Sequence, residues 1–325
     1  TLQTIGLVMS STTGSSNADV TQVTLWDGAT QIGTAVFDGT QDSASSRRYI
    51  ATSTLTTPVT VPKDSDKLIT VKVDLPNQGV SLSGNPGAFV AVDWEGGNVS
   101  SSTKAVGVSS GQTIYPASTK TVTAGVRVLK SYPTITYSTV SGTLTPGAND
   151  LLTLSVTAAS TGSLELRRLV FTISTSTASL TDRGITFSGP NGNVQATSTL
   201  DLQAVVSGAA NVTVIFDSTT NTADKTIGAG ETKTYTLRAT QMHLTGTNTT
   251  GSVSVALKAD AENPKLFTDI LSRWGSLLGT STASSALVSE NVVWSPYSTS
   301  TSVTTSNNDW YNGYGLPGCF ATAGL

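Results

Sequence analysis

Leu68-Ile69-Thr70-Val71-Lys72-Val73-Asp74-Leu75 is the stretch that decides the fold class. Ile69, Val71, Val73 and Leu75 share one parity and Thr70, Lys72 and Asp74 the other, so an extended backbone sends apolar side chains to one face and polar ones to the opposite face. A helix would scatter the same residues around its circumference. The period of two predicts an antiparallel strand half buried on a core. The alternation recurs at 24–37, 89–93, 134–139, 151–156, 169–173, 212–216, 235–239 and 253–257. Asp27-Gly28, Asp38-Gly39 and Asn191-Gly192 are suited to tight hairpin turns, whose central residues take positive φ. The expected fold class is all-β.

One segment departs from this period. Leu266, Phe267, Ile270, Leu271, Trp274, Leu277 and Leu278 fall at helical spacing, with Asn263 placed to cap, Pro264 to open and Gly279 to end a helix over 264–278. The simplest reading packs this one short amphipathic helix on its own domain; a partner-binding or membrane-surface helix is the alternative.

The two halves of the chain resemble each other. The turn and strand from Val61 to Lys72 match those from Ile227 to Arg238 at an offset of 166, with Lys67 on Lys233, Ile69 on Tyr235, Val71 on Leu237 and Lys72 on Arg238. Leu7-Val8-Met9 match Leu169-Val170-Phe171 at 162, and Gly87, Phe89 and Ala91 match Gly251, Val253 and Val255 at 164. Val126 and Val128 align with Val292 and Trp294 at 166. With 325 residues, the repeat predicts two tandem immunoglobulin-like β-sandwich domains at 1–132 and 133–300, followed by an aromatic-rich tail at 301–325. Leu2 aligns with Leu164, so the first domain has no counterpart of the strands at 134–139 and 151–156. The expectation is an open groove beside the strand from Leu2 to Met9, filled in trans by a strand of another copy. The tail supplies the candidate donor. The candidate subunit-contact residues are Leu2, Leu7, Met9, Val303, Trp310, Tyr311 and Tyr314. Two competing readings fold the tail back on its own sandwich or assign the missing strands to an upstream segment.

Composition narrows the partners. Charged residues make up 12% and the net charge is −3, which leaves no basic field for nucleic acid. No apolar stretch is long enough to span a membrane, and no leader-like segment stands at Thr1, so the expectation is a mature, exported product without membrane insertion. Cys319 is the sole cysteine, so each core must hold by packing rather than by internal disulfides.

Catalytic chemistry is sparse. His243 is the single histidine, in Gln241-Met242-His243-Leu244 after a strand, where a surface role fits better than a general base. Asp93 and Glu95 stand two apart, as carboxylates at a strand end commonly do, and no nucleophile elbow or phosphate loop occurs. Asp64 and Asp66 flank Ser65 in a turn that could offer oxygen ligands to calcium; the matching turn carries Gly230 and Thr232, which favours a solvated turn. The expectation is no enzyme, no cofactor and no metal. Trp294, Tyr297, Trp310, Tyr311, Tyr314 and Phe320 place six of the twenty aromatics beyond residue 290. Such a cluster can plug a sandwich end, contact a subunit or stack on sugars.

Five short segments carry a resemblance: Thr24-Leu25-Trp26-Asp27-Gly28, Val61-Pro62-Lys63-Asp64-Ser65, Tyr132-Pro133-Thr134-Ile135-Thr136, Val293-Trp294-Ser295 and Asp309-Trp310-Tyr311-Asn312-Gly313-Tyr314. In these the chain resembles the immunoglobulin-like cell-surface and surface-layer proteins of ultra-small, candidate-phyla bacteria. That resemblance implies an exported sandwich protein with a Trp-rich C-terminal end and brings no catalytic residues. Two function classes follow as expectations: an extracellular structural subunit of a self-assembling cell-surface layer or filament, whose partners are copies of itself, or a surface-displayed adhesin binding glycans.

Overall fold

The structure, a computed structural model, describes residues 1–10, 15–42, 45–79, 82–96, 103–116, 125–139, 144–180, 185–194, 208–216, 222–260, 290–298 and 310–318. The segment from Asn263 to Gly279, together with Val303 and Cys319, lies outside these residues. The chain is all-β and divides into two units, Thr1–Leu129 and Lys130–Leu325.

The first unit comprises β1 (Leu2–Ser10), β2 (Gln22–Asp27), β3 (Thr30–Ala35), β4 (Gln41–Asp42), β5 (Ser45–Val59) and β6 (Ile69–Asp74). Five shorter strands follow: β7 (Phe89–Val90), β8 (Val92–Glu95), β9 (Lys104–Val106), β10 (Thr113–Ile114) and β11 (Val126–Arg127). One sheet runs β10-β9-β1-β5-β4 with β8 also on β1, a second runs β3-β2-β6, and β7 pairs with β11. Ile5, Leu7 and Met9 of β1 meet Val23, Leu25 and Ile32 of the second sheet in one buried cluster. Alternation places these residues on the inner faces of a sandwich.

The second unit begins with β12 (Pro133–Thr139), β13 (Gly147–Ala158), β14 (Leu164–Ser176), β15 (Ala178–Leu180), β16 (Ile185–Gly189) and β17 (Gly192–Asn193). It continues with β18 (Ala209–Ile215), the four-residue helix α1 (Thr222–Lys225), β19 (Thr226–Ile227), β20 (Thr232–Leu244), β21 (Ser252–Leu257), β22 (Val292–Ser295) and β23 (Tyr311–Asn312). Its sheets run β12-β13-β20-β16-β17, with β15 on β20, and β18-β14-β22-β23, with β19 and β21 on β14. An aromatic core joins them: Phe187 stacks on Tyr235 at 5.5 Å and meets Phe171 at 5.6 Å and Phe216 at 6.1 Å.

Strand pairing carries the repeat. Leu25 pairs with Val71 in the first unit and Phe187 with Leu237 in the second, so β2 and β6 correspond to β16 and β20. Likewise β1 lies between β5 and β8 as β14 lies between β18 and β21. The turn before β6 matches too. Asp64 has φ +57° and its counterpart Gly230 has φ +71°. Asp tolerates the left-handed region better than most side chains but worse than glycine. Asp64→Gly is accordingly expected to leave the stability of the first unit within about 1 kcal/mol of the parent in urea unfolding, on the stabilising side.

Two parts of the alignment fail. Phe89 and Ala91 do not occupy the place of Val253 and Val255: β7 pairs with β11, whereas β21 pairs with β14. Val126 and Val128 do not occupy the place of Val292 and Trp294: β11 pairs with β7, whereas β22 pairs with β14. The site on β1 that corresponds to β22 is taken by β9, through Leu2↔Ala105 and Thr4↔Lys104, and by the end of β8, through Gly6↔Glu95 and Leu7↔Trp94.

Candidate functional site

The asymmetry between the units sits on a different strand from the one expected. Both edges of β1 are paired, one with β5 and the other with β9 and then β8. Among the described residues no open groove lies beside β1: Leu7 and Met9 are core, and Leu2 packs on it. The reason is topological: β8 and β9 return from far along the sequence to close that edge.

Among the described residues, β6 is an open edge. In the second unit its counterpart β20 is covered by β13, which is covered in turn by β12. These are the strands without a sequence counterpart in the first unit, and β6 pairs with β2 alone among the described residues. The consequence shows in burial. Tyr235, Leu237 and Ala239 are fully buried, whereas on β6 Ile69 and Val73 are half-buried and Val71 remains 42% exposed. Leu75 is 41% and Leu68 83% exposed beside it. The half-buried face read from the sequence is thus more open than its alternation suggests.

Backbone direction defines what this edge offers. The carbonyl of Asp74 accepts from Thr21 N–H at 2.8 Å, and the Lys72 carbonyl lies 3.5 Å from the Thr24 hydroxyl, so both point toward β2. Alternation then turns the N–H and C=O groups of Ile69, Val71 and Val73 away from β2. On the outer face Lys72 stacks on Trp26, its Nζ 4.1 Å from the ring centroid, and Asp74 accepts from Gln22 at 2.7 Å.

The tail belongs to its own sandwich. Trp310 and Tyr311 are buried, the Tyr311 ring lies 5.5 Å from that of Trp294, and β23 pairs with β22. Trp294 Nε1–H donates to the Asn312 carbonyl at 2.9 Å. This corrects the assignment of Trp310 and Tyr311 as strand donors; of the tail residues named from the sequence, Tyr314 alone among those described stays substantially exposed. The chain beyond β23 also protects an edge: Ile135 N–H of β12 donates to the Pro317 carbonyl at 2.9 Å. A side chain at Gly318, φ +86°, would overlap the Ile135 carbonyl, so glycine is required there.

Buried acids tie strands and loops together. Asp260 accepts N–H bonds from Asn291, Val292 and Gly313 at 2.7, 3.1 and 2.8 Å. Asp19 accepts from the N–H groups of Ser16 and Asn85, both at 2.6 Å, and Asp224 from Asn191 N–H at 2.9 Å. Glu165 takes the Tyr297 hydroxyl at 2.5 Å and the Lys225 ammonium at 3.2 Å. Nothing in the sequence pattern singles these acids out, because their partners are backbone N–H groups or side chains distant in sequence. His243 is exposed on β20, and Asp93, within β8, accepts from the neighbouring Trp94 N–H at 2.7 Å. No group of three or more His, Cys, Asp or Glu that could hold a metal occurs among the described residues.

Two buried phenols have pH consequences. Burial raises the hydroxyl of Tyr235 well above the usual tyrosine range, reinforced by Asp224 and Glu231; burial and the hydrogen bond to Glu165 do the same for Tyr297. Above about pH 10 the unfolded chain releases these protons while the folded unit keeps them, so stability falls as pH rises. The expected slope approaches about 1.4 kcal/mol per pH unit per tyrosine. Tyr297→Phe should flatten the decline in unfolding experiments at pH 9 to about 11.5; an unchanged slope would exclude Tyr297 as its source.

No family model and no curated protein matches the chain. Among solved structures it is similar to the full-length RrgB pilus protein of Streptococcus pneumoniae, with 9% identity, a TM-score of 0.22 and coverage of 81% of this chain and 44% of that one. It is also similar to the T6 backbone pilin of serotype M6 Streptococcus pyogenes, with 10% identity, a TM-score of 0.20 and coverage of 81% and 56%. The chain spans about half the length of these structures.

Proposed function

We propose that the chain is an extracellular structural subunit that assembles with copies of itself into a cell-surface layer or filament and has no enzymatic activity. The observation that carries this reading is the edge of β6, uncovered among the described residues, apolar side chains included, at the place where the second unit is covered by β13. An edge of that kind pairs with another strand or aggregates, whereas the β12 edge is blocked by Pro133 and the chain around Pro317. A sparsely charged surface suits the crowded contacts of such an assembly, and the resemblance to surface-layer proteins of candidate-phyla bacteria points the same way. Negative-stain microscopy of the purified full chain tests the reading. Ordered sheets, tubes or filaments are the expected result, and a monodisperse monomer under all conditions would overturn it. His243→Ala is expected to leave assembly unchanged.

A second reading has its own observation. Thr136 and Ser138 of β12 lie opposite Ser155 and Thr153 of β13 and line a shallow hydroxyl-rich groove. Such a row of hydroxyls offers donors and acceptors to a sugar. Glycan-array binding by the monomer, lost in Thr136→Val, would favour a surface adhesin.

A further inference from the structure

We infer that β6 is a self-complementary docking edge, and that two copies of this chain join there as a two-fold dimer with a sheet continuous across the interface. The inference rests on the self-assembly reading and names the contact. The internal repeat supplies a template for what the edge accepts. On β20 the covering strand places Asp150 directly opposite Arg238, with a 2.8 Å ion pair. Arg238 corresponds to Lys72, so a strand covering β6 should present a carboxylate opposite Lys72. Another β6, running antiparallel, does so.

Among the two-fold registers centred on Val71, Lys72 or Val73, near the middle of the strand, charge selects one. Centring the axis on Lys72 sets two ammonium groups face to face, which is unfavourable on a sheet surface. Centring it on Val71 places Lys72 opposite a threonine, with no compensation. Centring it on Val73 places each Lys72 opposite the Asp74 of the second copy and each exposed Val71 opposite the exposed Leu75. In that register Val73 faces its own symmetry mate and Val71 faces Leu75 as hydrogen-bonded pairs, because the odd-numbered residues point their backbone groups outward. About six main-chain hydrogen bonds form across the axis. Pro76, which has no N–H, falls at a position that donates none. Thr70, Lys72 and Asp74 continue the outer face, and Ile69, Val71, Val73 and Leu75 form one apolar row on the other. Such a contact is isologous and closes at two copies, so growth into a layer or filament uses another surface in addition.

Charge exchange on the full chain tests the register. Lys72→Asp opposes two carboxylates across the axis and Asp74→Lys opposes two ammonium groups; the double variant restores opposite charges. Sedimentation velocity should show a dimer for the parent, at least about tenfold weaker dimerisation for each single variant, and recovery in the double variant. Circular dichroism of each variant checks that the fold is kept. Equal dimerisation in all four proteins, or no recovery in the double variant, would overturn the β6 interface while leaving self-assembly through other surfaces intact. A parent that stays monomeric yet binds a peptide of sequence 147–158 would overturn it in favour of a strand supplied from elsewhere. A parent that neither dimerises nor forms ordered material removes the self-assembly reading as well.

Discussion

Asp260→Ala is expected to lower the stability of the second unit by at least about 3 kcal/mol, because it leaves three N–H donors without their acceptor at about 1–3 kcal/mol each. Those donors belong to Asn291, Val292 and Gly313, which lie at the start of β22 and just after β23. One carboxylate therefore ties the last strands of the sandwich to the chain following β21. The surroundings are tight: a side chain at Gly313 would come within 3.1 Å of the carboxylate and 2.8 Å of Val292 Cβ. Asn at 260 retains one acceptor oxygen, so Asp260→Asn should cost less than Asp260→Ala. The expected signature is local first. Trp294 and Trp310 are buried at this end of the unit, so their fluorescence should shift to the red at denaturant concentrations where far-ultraviolet dichroism still reports an intact sheet. Coincident transitions at the parental midpoint would show that the tie is dispensable.

Much of the architecture was legible because a period of two is a local property. The parity of Ile69, Val71 and Val73 relates them to Tyr235, Leu237 and Ala239, and the strand pairings of both units bear out that equivalence. What parity cannot convey is whether a second strand lies alongside. Val71 and Leu237 have the same pattern around them, and one is 42% exposed while the other is fully buried, because β13 covers β20. The same limit explains why β1 reads as an open strand in the sequence. Its second edge is closed by β8 and β9, more than eighty residues further along, and no local signal announces that pairing. The aromatic cluster at 310–314 announced burial but not against what. Its placement depends on Asp260 and on the Ile135 N–H bond to Pro317, contacts made with backbone groups that any residue type carries.

The aromatic core of the second unit gives the other large effect, since Phe187→Ala removes a fully enclosed ring that three other rings touch. Phe187 is 2% exposed, stacks on Tyr235 with an interplanar angle of 7°, and meets Phe216 edge-on at 82°. Truncating a buried phenylalanine costs about 3–5 kcal/mol through lost transfer energy and the cavity left behind. The value should lie at the upper end here, because Tyr235 is fixed by its own hydroxyl, which donates to the Asp224 carbonyl at 2.7 Å, and cannot collapse into the space. The repeat supplies the control. Leu25 holds the equivalent position in the first unit and is fully buried without an aromatic partner beside it in β6. Phe187→Leu should therefore recover most of the stability, leaving a deficit of about 1–2 kcal/mol from unfilled volume and lost ring contacts. Urea unfolding of the full chain followed by a probe in the second unit measures both variants. A leucine variant no more stable than the alanine variant would mean that ring stacking, rather than filled volume, holds this core together.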